Sequence, residues 1–472
     1  MGAIFKCFST PGGYYVYDRY SNSVLRIDEH EFSELLSVET CNMRHSDSAV
    51  LKKYQKQGVM LEGKVDKIEH PETLYVKHIC NNCISNVILQ VTQQCNLRCS
   101  YCIYGGNYLN RKHGASKMNI ETAKRAIDFA LENSIESANL VISFYGGEPL
   151  IEFELIKQCV AYARSVIEGK HLLFNMTTNG TLLTDEIMRF LVENEFQILI
   201  SLDGSKEEHD INRKFASGKG SFDTIMQNIR KFKEFYPEYV KQNVQFNAVM
   251  TPKTNLGCMD EFFSVNDVLA DSNIIYNDVQ SEGGGEGEAN YNEFFWPKRK
   301  FETLKLMAHL VGKLDEGCVS KMVISQKETI RKFYRGLQEH KKIAAVNHHS
   351  GPCVPGRNRL LVSVDGKFYP CEKVSELPFS CIGSLENGID IARAKEILNI
   401  GKITEDECKE CWALRLCMGC LNTLCYSKGF SECEKKKCKL VACENIKNLV
   451  LSDLLEICIL NEFNFIIPYE EE

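Results

Sequence analysis

From about residue 86 to residue 278 the chain alternates two kinds of segment. Short, nearly continuous apolar runs recur as NVILQV, LVISFY, HLLFNMT, QILISL, NVQFNAVM and SNIIYNDV. Between them lie amphipathic stretches such as IETAKRAIDFALEN, EFELIKQCVAYARSVIE, TDEIMRFLVEN and FDTIMQNIRKFKEF. The first kind predicts strands buried on both faces, and the second predicts helices that cover them. Six such units predict an α/β fold, an open partial (β/α)6 relative of the TIM-like barrel, in which the loops after the strands build the active site.

The flanking regions read differently. Residues 1–78 form a separate small unit, in which GGYYVYDRYSNSVLRID predicts two strands around a Ser-Asn-Ser turn. Helices follow near EFSELLS and SAVLKKYQKQG. Such a unit is either a cap or a module that adds a guest strand to its own sheet edge. After the core of residues 79–280, SEGGGEGE interrupts the pattern, because glycine with like charges resists packing. A helical bridge beginning at NEFFWPKRKFETLKLMAHLVGKL completes a 281–345 connection. Residues 346–472 make a last, cysteine-rich region.

The chemistry concentrates in the loops. Cys95-x3-Cys99-x2-Cys102 directly follows the first apolar run. Zinc takes four ligands in paired spacings, which these eight residues fit poorly. Three thiolates so close suit a [4Fe–4S] cube with one iron left open, whose guest is S-adenosylmethionine (SAM) chelating through its amine and carboxylate. Gly146-Gly147-Glu148-Pro149 follow the second run, Thr177-Thr178-Asn179-Gly180 the third and Ser201-Leu202-Asp203-Gly204 the fourth. Four polar, glycine-bearing loops thus fall at one end of one sheet.

Composition narrows the classes further. The chain has 472 residues, of which 44% are hydrophobic and 25% charged, with a net charge of −7. No run is long and apolar enough for a membrane span, and no basic stripe points to nucleic acid. Twenty-two cysteines are the anomaly, and eleven of them fall between Cys353 and Cys443. Without an export signal the expected location is cytoplasmic, where thiols stay reduced and serve metals or catalysis. Cys7, Cys41, Cys159, Cys258, Cys381 and Cys458 sit in apolar contexts and read as small hydrophobes. Cys80-x2-Cys83 lacks a second pair at zinc spacing and reads as structural.

CNLRCSYC, GGEP and SLDG resemble the radical SAM enzymes over residues 86 to 280. The C-terminal pattern Cys353-x12-Gly366-x4-Cys371, then Cys408-x2-Cys411-x5-Cys417 and Cys420, resembles the SPASM domain. The N-terminal unit resembles, in shape and hydrophobicity, the winged-helix-like element that recognises leader peptides of ribosomally made, modified peptides. The resemblance implies three [4Fe–4S] clusters and SAM. Cys95, Cys99 and Cys102 would hold the SAM cluster, with Tyr101 beside SAM and Gly146, Gly147, Glu148 and Pro149 at its methionyl amine. Asn179, Ser201 and Asp203 fall where the family contacts the ribose and carboxylate, and Arg213 would partner a carboxylate or form a surface salt bridge. The first auxiliary cluster would take Cys353, Cys371 and Cys420, the second Cys408, Cys411, Cys417 and a late cysteine. Cys417 and Cys420 are one residue closer than the family spacing, which makes Cys425 the fallback for Cys420. Among Cys433, Cys438 and Cys443, distance from Cys417 favours Cys438.

Residues 340–352 contain no cysteine where fully ligated relatives place one. Unless Cys318, His348 or His349 closes it, the first auxiliary cluster would carry an open iron able to bind a substrate thiolate. The family reading is then a thioether-forming peptide maturase of the sactipeptide or ranthipeptide type. Its partners would be a cysteine-rich precursor peptide with a leader and an electron donor such as flavodoxin or ferredoxin, with neither nucleic acid nor membrane. The rivals are sulfatase-type oxidation of Cys or Ser, carbon–carbon crosslinking of a peptide, and a zinc-binding scaffold.

Overall fold

The computed structural model describes residues 2–102, 104, 113–269, 271–279, 291–423 and 432–465. The interrupting SEGGGEGE segment and Cys425 lie outside the described residues, as does the side chain of Cys433. No described helix is long and apolar enough to cross a membrane.

The predicted alternation forms as a parallel sheet. β4 (Asn86–Thr92), β5 (Asn139–Gly146), β6 (His171–Thr178), β7 (Gln197–Ser201), β8 (Val244–Met250) and β9 (Ile274–Asp278) lie side by side in chain order. Helices α3 (Ile120–Glu132), α4 (Phe153–Val166), α5 (Asp185–Glu193), α6 (Phe222–Phe235) and α7 (Leu256–Val265) connect them. Val87, Leu89, Ile142, Phe144, Phe174, Met176, Ile198 and Ile200 join the helices in one core. The alternate residues Ser143, Tyr145, Asn175, Thr177, Gln197 and Gln245 line a cavity of about 480 Å³. A closed eight-stranded barrel fills that space with branched apolar side chains. Here six strands leave it open and polar.

The amino-terminal unit has one strand more than the sequence predicts. β1 (Phe5–Thr10), β2 (Gly13–Asp18) and β3 (Ser23–Ile27) form an antiparallel meander, followed by α1 (Glu29–Glu39) and α2 (Ala49–Lys56). Asp28 and Glu31 close a reciprocal capping box that starts α1. Phe5, Cys7, Val16 and Ile27 pack on Leu35, Val38 and Leu51, whereas Phe8, Tyr15 and Tyr17 join the core of the main body. Both faces of the sheet are covered, so β1 shows none of the polar alternation that marks a half-exposed strand.

The carboxy-terminal region continues the barrel sheet. β10 (Leu360–Val362) adds parallel to β4, Leu360 opposite Val87, and β11 (Lys367–Tyr369) extends it antiparallel. The bridge supplies α8 (Phe295–Leu310) and α9 (Gln326–Gln338), and the chain closes with the 31-residue α10 (Glu432–Glu462). Cys7, Cys159 and Cys458 are buried as expected of small hydrophobes, but Cys41 and Cys258 are exposed. Cys41 stands at positive φ just past the end of α1, and Cys258 on the first turn of α7.

One side chain locks the two ends together. Arg19, 2% exposed, donates to the carbonyls of Lys409, Cys411 and Gly63. Arg415 reciprocates from the other side, donating to the carbonyls of Arg19, Tyr20 and Lys341. Trp412 meets Tyr17 edge-on at 6.3 Å. Arg19→Met removes donors from three partly buried carbonyls and is expected to cost about 3 kcal/mol. A lowered thermal midpoint, with the β1–β3 unit becoming the first site of limited proteolysis, checks this.

Candidate active site

The four loops meet at the carboxyl end of β4 to β7. Cys95, Cys99 and Cys102 lie together on the first, each thiol electrostatically coupled to the others. Backbone N–H groups of Leu97 and Tyr104 donate to Cys95 Sγ and Cys102 Sγ, both at 3.4 Å. Asn179 Nδ2 stands 3.9 Å from Cys95 Sγ. Burial pushes the Cys95 thiol up to about 11 and the Cys99 thiol up to about 12. Thiols so placed keep their protons until a cation replaces them, and N–H donors aimed at sulfur favour the thiolate that then forms. The donor set fits an iron–sulfur cluster.

Gly146 and Gly147 set the second loop hard against the first. A Cβ on Gly146 would stand 2.1 Å from the Thr92 carbonyl oxygen, and one on Gly147 would stand 2.1 Å from that of Gln94. Gly146 also sits at φ +142°, which disfavours any side chain. In their place run hydrogen bonds from Gly147 N–H to Thr92 O at 2.9 Å and from Glu148 N–H to Gln94 O at 2.8 Å. Pro149 opens the short 3-10 turn that follows.

Glu148 joins the second loop to the third. Its fully buried carboxylate accepts from Thr178 Oγ1 at 2.7 Å, Asn179 N–H at 2.7 Å and Leu150 N–H at 3.1 Å. Burial raises its pKa to about 7, against the pull of these donors. Asn179 is held in turn, its Oδ1 accepting from Thr181 N–H and Oγ1 and its Nδ2 donating to Asn96 Oδ1.

The fourth loop contributes a buried ion pair. Asp203 Oδ2 accepts from Arg213 Nε at 2.9 Å and from the Tyr101 hydroxyl, while Oδ1 accepts from Val249 N–H at 3.0 Å. The Arg213 guanidinium lies 5.3 Å from the Tyr101 ring centroid. The surface salt bridge expected as one alternative for Arg213 is therefore corrected. Its partner is Asp203, and the side chains are 8% and 2% exposed. Ser201 is buried at the end of β7, opposite Asn247. His209, unremarked in the sequence, is fully buried between the Asp203 N–H and the Ser221 hydroxyl. Its only sequence signal was its place in the helical turn before Arg213.

The carboxy-terminal cysteines form two groups. Cys353, Cys371 and Cys420 come together, since the Cys420 thiol feels Cys353 and the Cys371 thiol feels Cys420. Gly351 lets this loop cross Met418 and Gly419, whose backbone lies about where a Cβ would be. A second cavity is lined by Cys408, Cys411, Cys417 and Cys443, with Cys420 also on its wall. Cys443, not Cys438, faces it. Cys438 is coupled to Glu434 instead, because five residues along a helix turn a side chain to a different face. Cys318 occupies an exposed 3-10 turn ahead of α9. His348 is committed to Gly401 N–H and the His349 carbonyl, and His349 lines the second cavity.

Residues 89–264 match the family model of the radical SAM superfamily. A cysteine-type anaerobic sulfatase-maturating enzyme of Clostridium novyi is 35% identical over 163 residues, 33% of this chain and 42% of that protein. One of the same name from Clostridium perfringens (strain ATCC 13124) is 25% identical over 355 residues, 71% of this chain and 88% of its own. The solved structure of native anSMEcpe with bound AdoMet shares the fold, with a TM-score of 0.55 and 22% identity, covering 78% of this chain and 99% of that one. That protein has also been solved with AdoMet and a Kp18Cys peptide.

Gly147→Ala is expected to push the second loop off the first and lower SAM cleavage about a hundredfold, the scale of a misplacement near 1 Å. Measured 5′-deoxyadenosine formation, with iron content in parallel, checks it. His209 titrates at about 4 in the fold, depressed by burial from an ordinary 6.5. Its neutral form therefore supports stability above pH 6.5, and that support is lost as pH falls toward 4. His209→Gln is expected to flatten the fall of thermal midpoint across that window.

Proposed function

We propose, from the radical SAM domain that residues 89–264 form, that this protein is a peptide maturase joining cysteine thiols to acceptor carbons of a ribosomally made, cysteine-rich precursor. The observation that carries the reading is the inequality of the two carboxy-terminal groups. Cys408, Cys411, Cys417 and Cys443 line one cavity with Cys420 on its wall, while the described residues bring two more, Cys353 and Cys371, to Cys420. Three thiolates on a [4Fe–4S] cube leave one iron for a thiolate from outside. Cys353 is exposed, so the group faces arriving chain. SAM and its cluster, held by Cys95, Cys99 and Cys102, would supply the 5′-deoxyadenosyl radical that takes a hydrogen atom from the acceptor carbon. As the carbon–sulfur bond forms, the thiol's proton would leave to solvent and the second electron would pass to the auxiliary cluster.

The polar cavity inside the sheet would receive the substrate chain. Asn175, Gln197 and Gln245 offer amides to a peptide inside the polar cavity. Glu372, next to Cys371, reaches the same cavity and is fixed there by Arg359. Among the described residues β3 pairs in its sheet only with β2, and a leader would add to its outer edge, beside α9. Tethering the leader raises the local concentration of the core segment, and weak contacts at the reacting carbon then suffice. A flavodoxin or ferredoxin would supply electrons.

A second reading is sulfatase-type oxidation, favoured by the names of the Clostridium relatives. The two readings leave different masses. Anaerobic incubation with SAM, reductant and any cysteine-rich precursor peptide found encoded beside this gene is expected to remove two hydrogens per modified cysteine and leave the thiols unalkylatable. Loss of sulfur from the peptide would favour the sulfatase-type reading. Because Arg19 and Tyr17 anchor residues 1–78 to the cysteine loop, leader recognition is better tested by competition than by truncation. Excess isolated leader is expected to inhibit modification while 5′-deoxyadenosine continues to form. Cys353→Ala is expected to show the same uncoupling.

A further inference from the structure

The second carboxy-terminal cavity holds a polar group that the four cysteines do not account for. His349 is 2% exposed and lines this cavity, yet neither of its ring nitrogens has a hydrogen-bond partner. A buried imidazole left so is costly, because both nitrogens have given up water. Its neighbour explains how the ring is held there. His348 accepts the Gly401 N–H at Nε2 and donates from Nδ1 to the His349 carbonyl, so it is a single neutral tautomer. Gly401 is required at that contact, since a Cβ would stand 2.6 Å from His348 Nε2. The two imidazoles pack with centroids 4.2 Å apart, which fixes the orientation of the second.

Lys439 enters the same cavity from α10. It is 5% exposed, donates to the Ile400 carbonyl at 2.8 Å, and its charge is coupled to the Cys408, Cys417 and Cys443 thiols. Beside the four thiols the cavity wall carries Cys420, the ammoniums of Lys439 and Lys447, the Glu407 carboxylate and one imidazole without a partner. Four thiols satisfy the four irons of a cube and leave no iron for the imidazole. With a cube seated among those thiols, its sulfur is an acceptor the ring can meet, beside the unpartnered Oε2 of Glu407 on the same wall.

We propose that His349 donates a ring N–H hydrogen bond to the iron–sulfur cluster held by Cys408, Cys411, Cys417 and Cys443, and with Lys439 raises that cluster's reduction potential. The inference rests on the reading that this cavity holds a cluster. Reduction adds one electron and one negative charge to the cluster, and an N–H donor and an ammonium both stabilise the more negative state. His349 and Lys439 are positioning residues in this account, since neither touches substrate. The pair would make the second auxiliary cluster an easier electron acceptor than its thiolate set alone would.

The test is an anaerobic redox titration followed by electron paramagnetic resonance, on the full-length, cluster-reconstituted protein with dithionite as reductant. Cys411→Ala identifies which signal belongs to this cavity. His349→Phe is expected to keep the iron content and move that signal's midpoint to lower potential. His349→Gln restores a donor and is expected to recover part of the shift, while Lys439→Met lowers the midpoint independently. Labelling histidine with nitrogen-15 is expected to give a hyperfine coupling on the wild-type signal that His349→Phe abolishes. An unchanged midpoint and coupling in His349→Phe overturns the proposal while the cluster stands. Loss of one cluster's worth of iron in His349→Phe, but not in Lys439→Met, also overturns it, by making the imidazole an iron ligand. If Cys411→Ala changes neither iron content nor spectrum, the cavity holds no cluster, and the reading beneath the proposal fails with it.

Discussion

A single buried carboxylate holds the reactive end of the sheet in register. Glu148 reaches none of the cysteines directly, yet it gathers the backbone of its own turn, the Thr178 hydroxyl and the Asn179 N–H onto two oxygens. Asn179 then stands against Asn96 and Cys95, and Gly146 and Gly147 press the Glu148 loop onto Thr92 and Gln94. The cysteine loop is braced from both sides by loops that Glu148 ties to one another. An unpaired carboxylate at this depth would be strongly unfavourable, and three donors at hydrogen-bond distance are what make the site tolerable. The constraint is one of mutual dependence. The glycines permit the approach, the approach buries the carboxylate, and the carboxylate fixes the asparagine beside the first thiol.

Much of this was legible in the chain. The six barrel strands were visible because each is a short, nearly continuous apolar run, as parallel strands covered by helices must be. The loops were visible because their glycines and polar residues fall immediately after those runs. What escaped depends on faces and distances that linear spacing does not carry. Cys438 lies at a suitable separation from Cys417, but a helix through residues 432–462 turns Cys443 toward the cavity instead. Arg213 gave no sign that its partner was Asp203, ten positions earlier and across a loop. β1 was hidden because its sheet is sandwiched, and His349 because an orphaned nitrogen exists only in three dimensions.

The amino-terminal unit is less separate than its sequence implies. Its β2–β3 turn opens with Arg19, whose guanidinium grips the carbonyl of Cys411, one of the cysteines of the second cavity. Tyr15 donates to Glu462 near the end of α10, the helix that also carries Lys439 and Cys443. A segment that docked on the β3 edge would therefore press on a unit bonded to both walls of that cavity. Contiguity of this kind is a route by which events at the sheet edge can reach the cysteines, although coupling itself is a property of energies rather than of contacts.

The pairing of β10 with β4 bears on how the chain is made. β4 is the first barrel strand to be synthesised, yet the partner for one of its edges begins only at Leu360. Until the ribosome has passed that point, the nascent barrel presents an apolar strand with a row of unsatisfied backbone groups. Such an edge is a template for the wrong neighbour, and closing it across so much chain is slow. The auxiliary region is thus the late-arriving cover of the barrel it serves. Chains truncated before residue 360 are expected to aggregate rather than persist as free barrels.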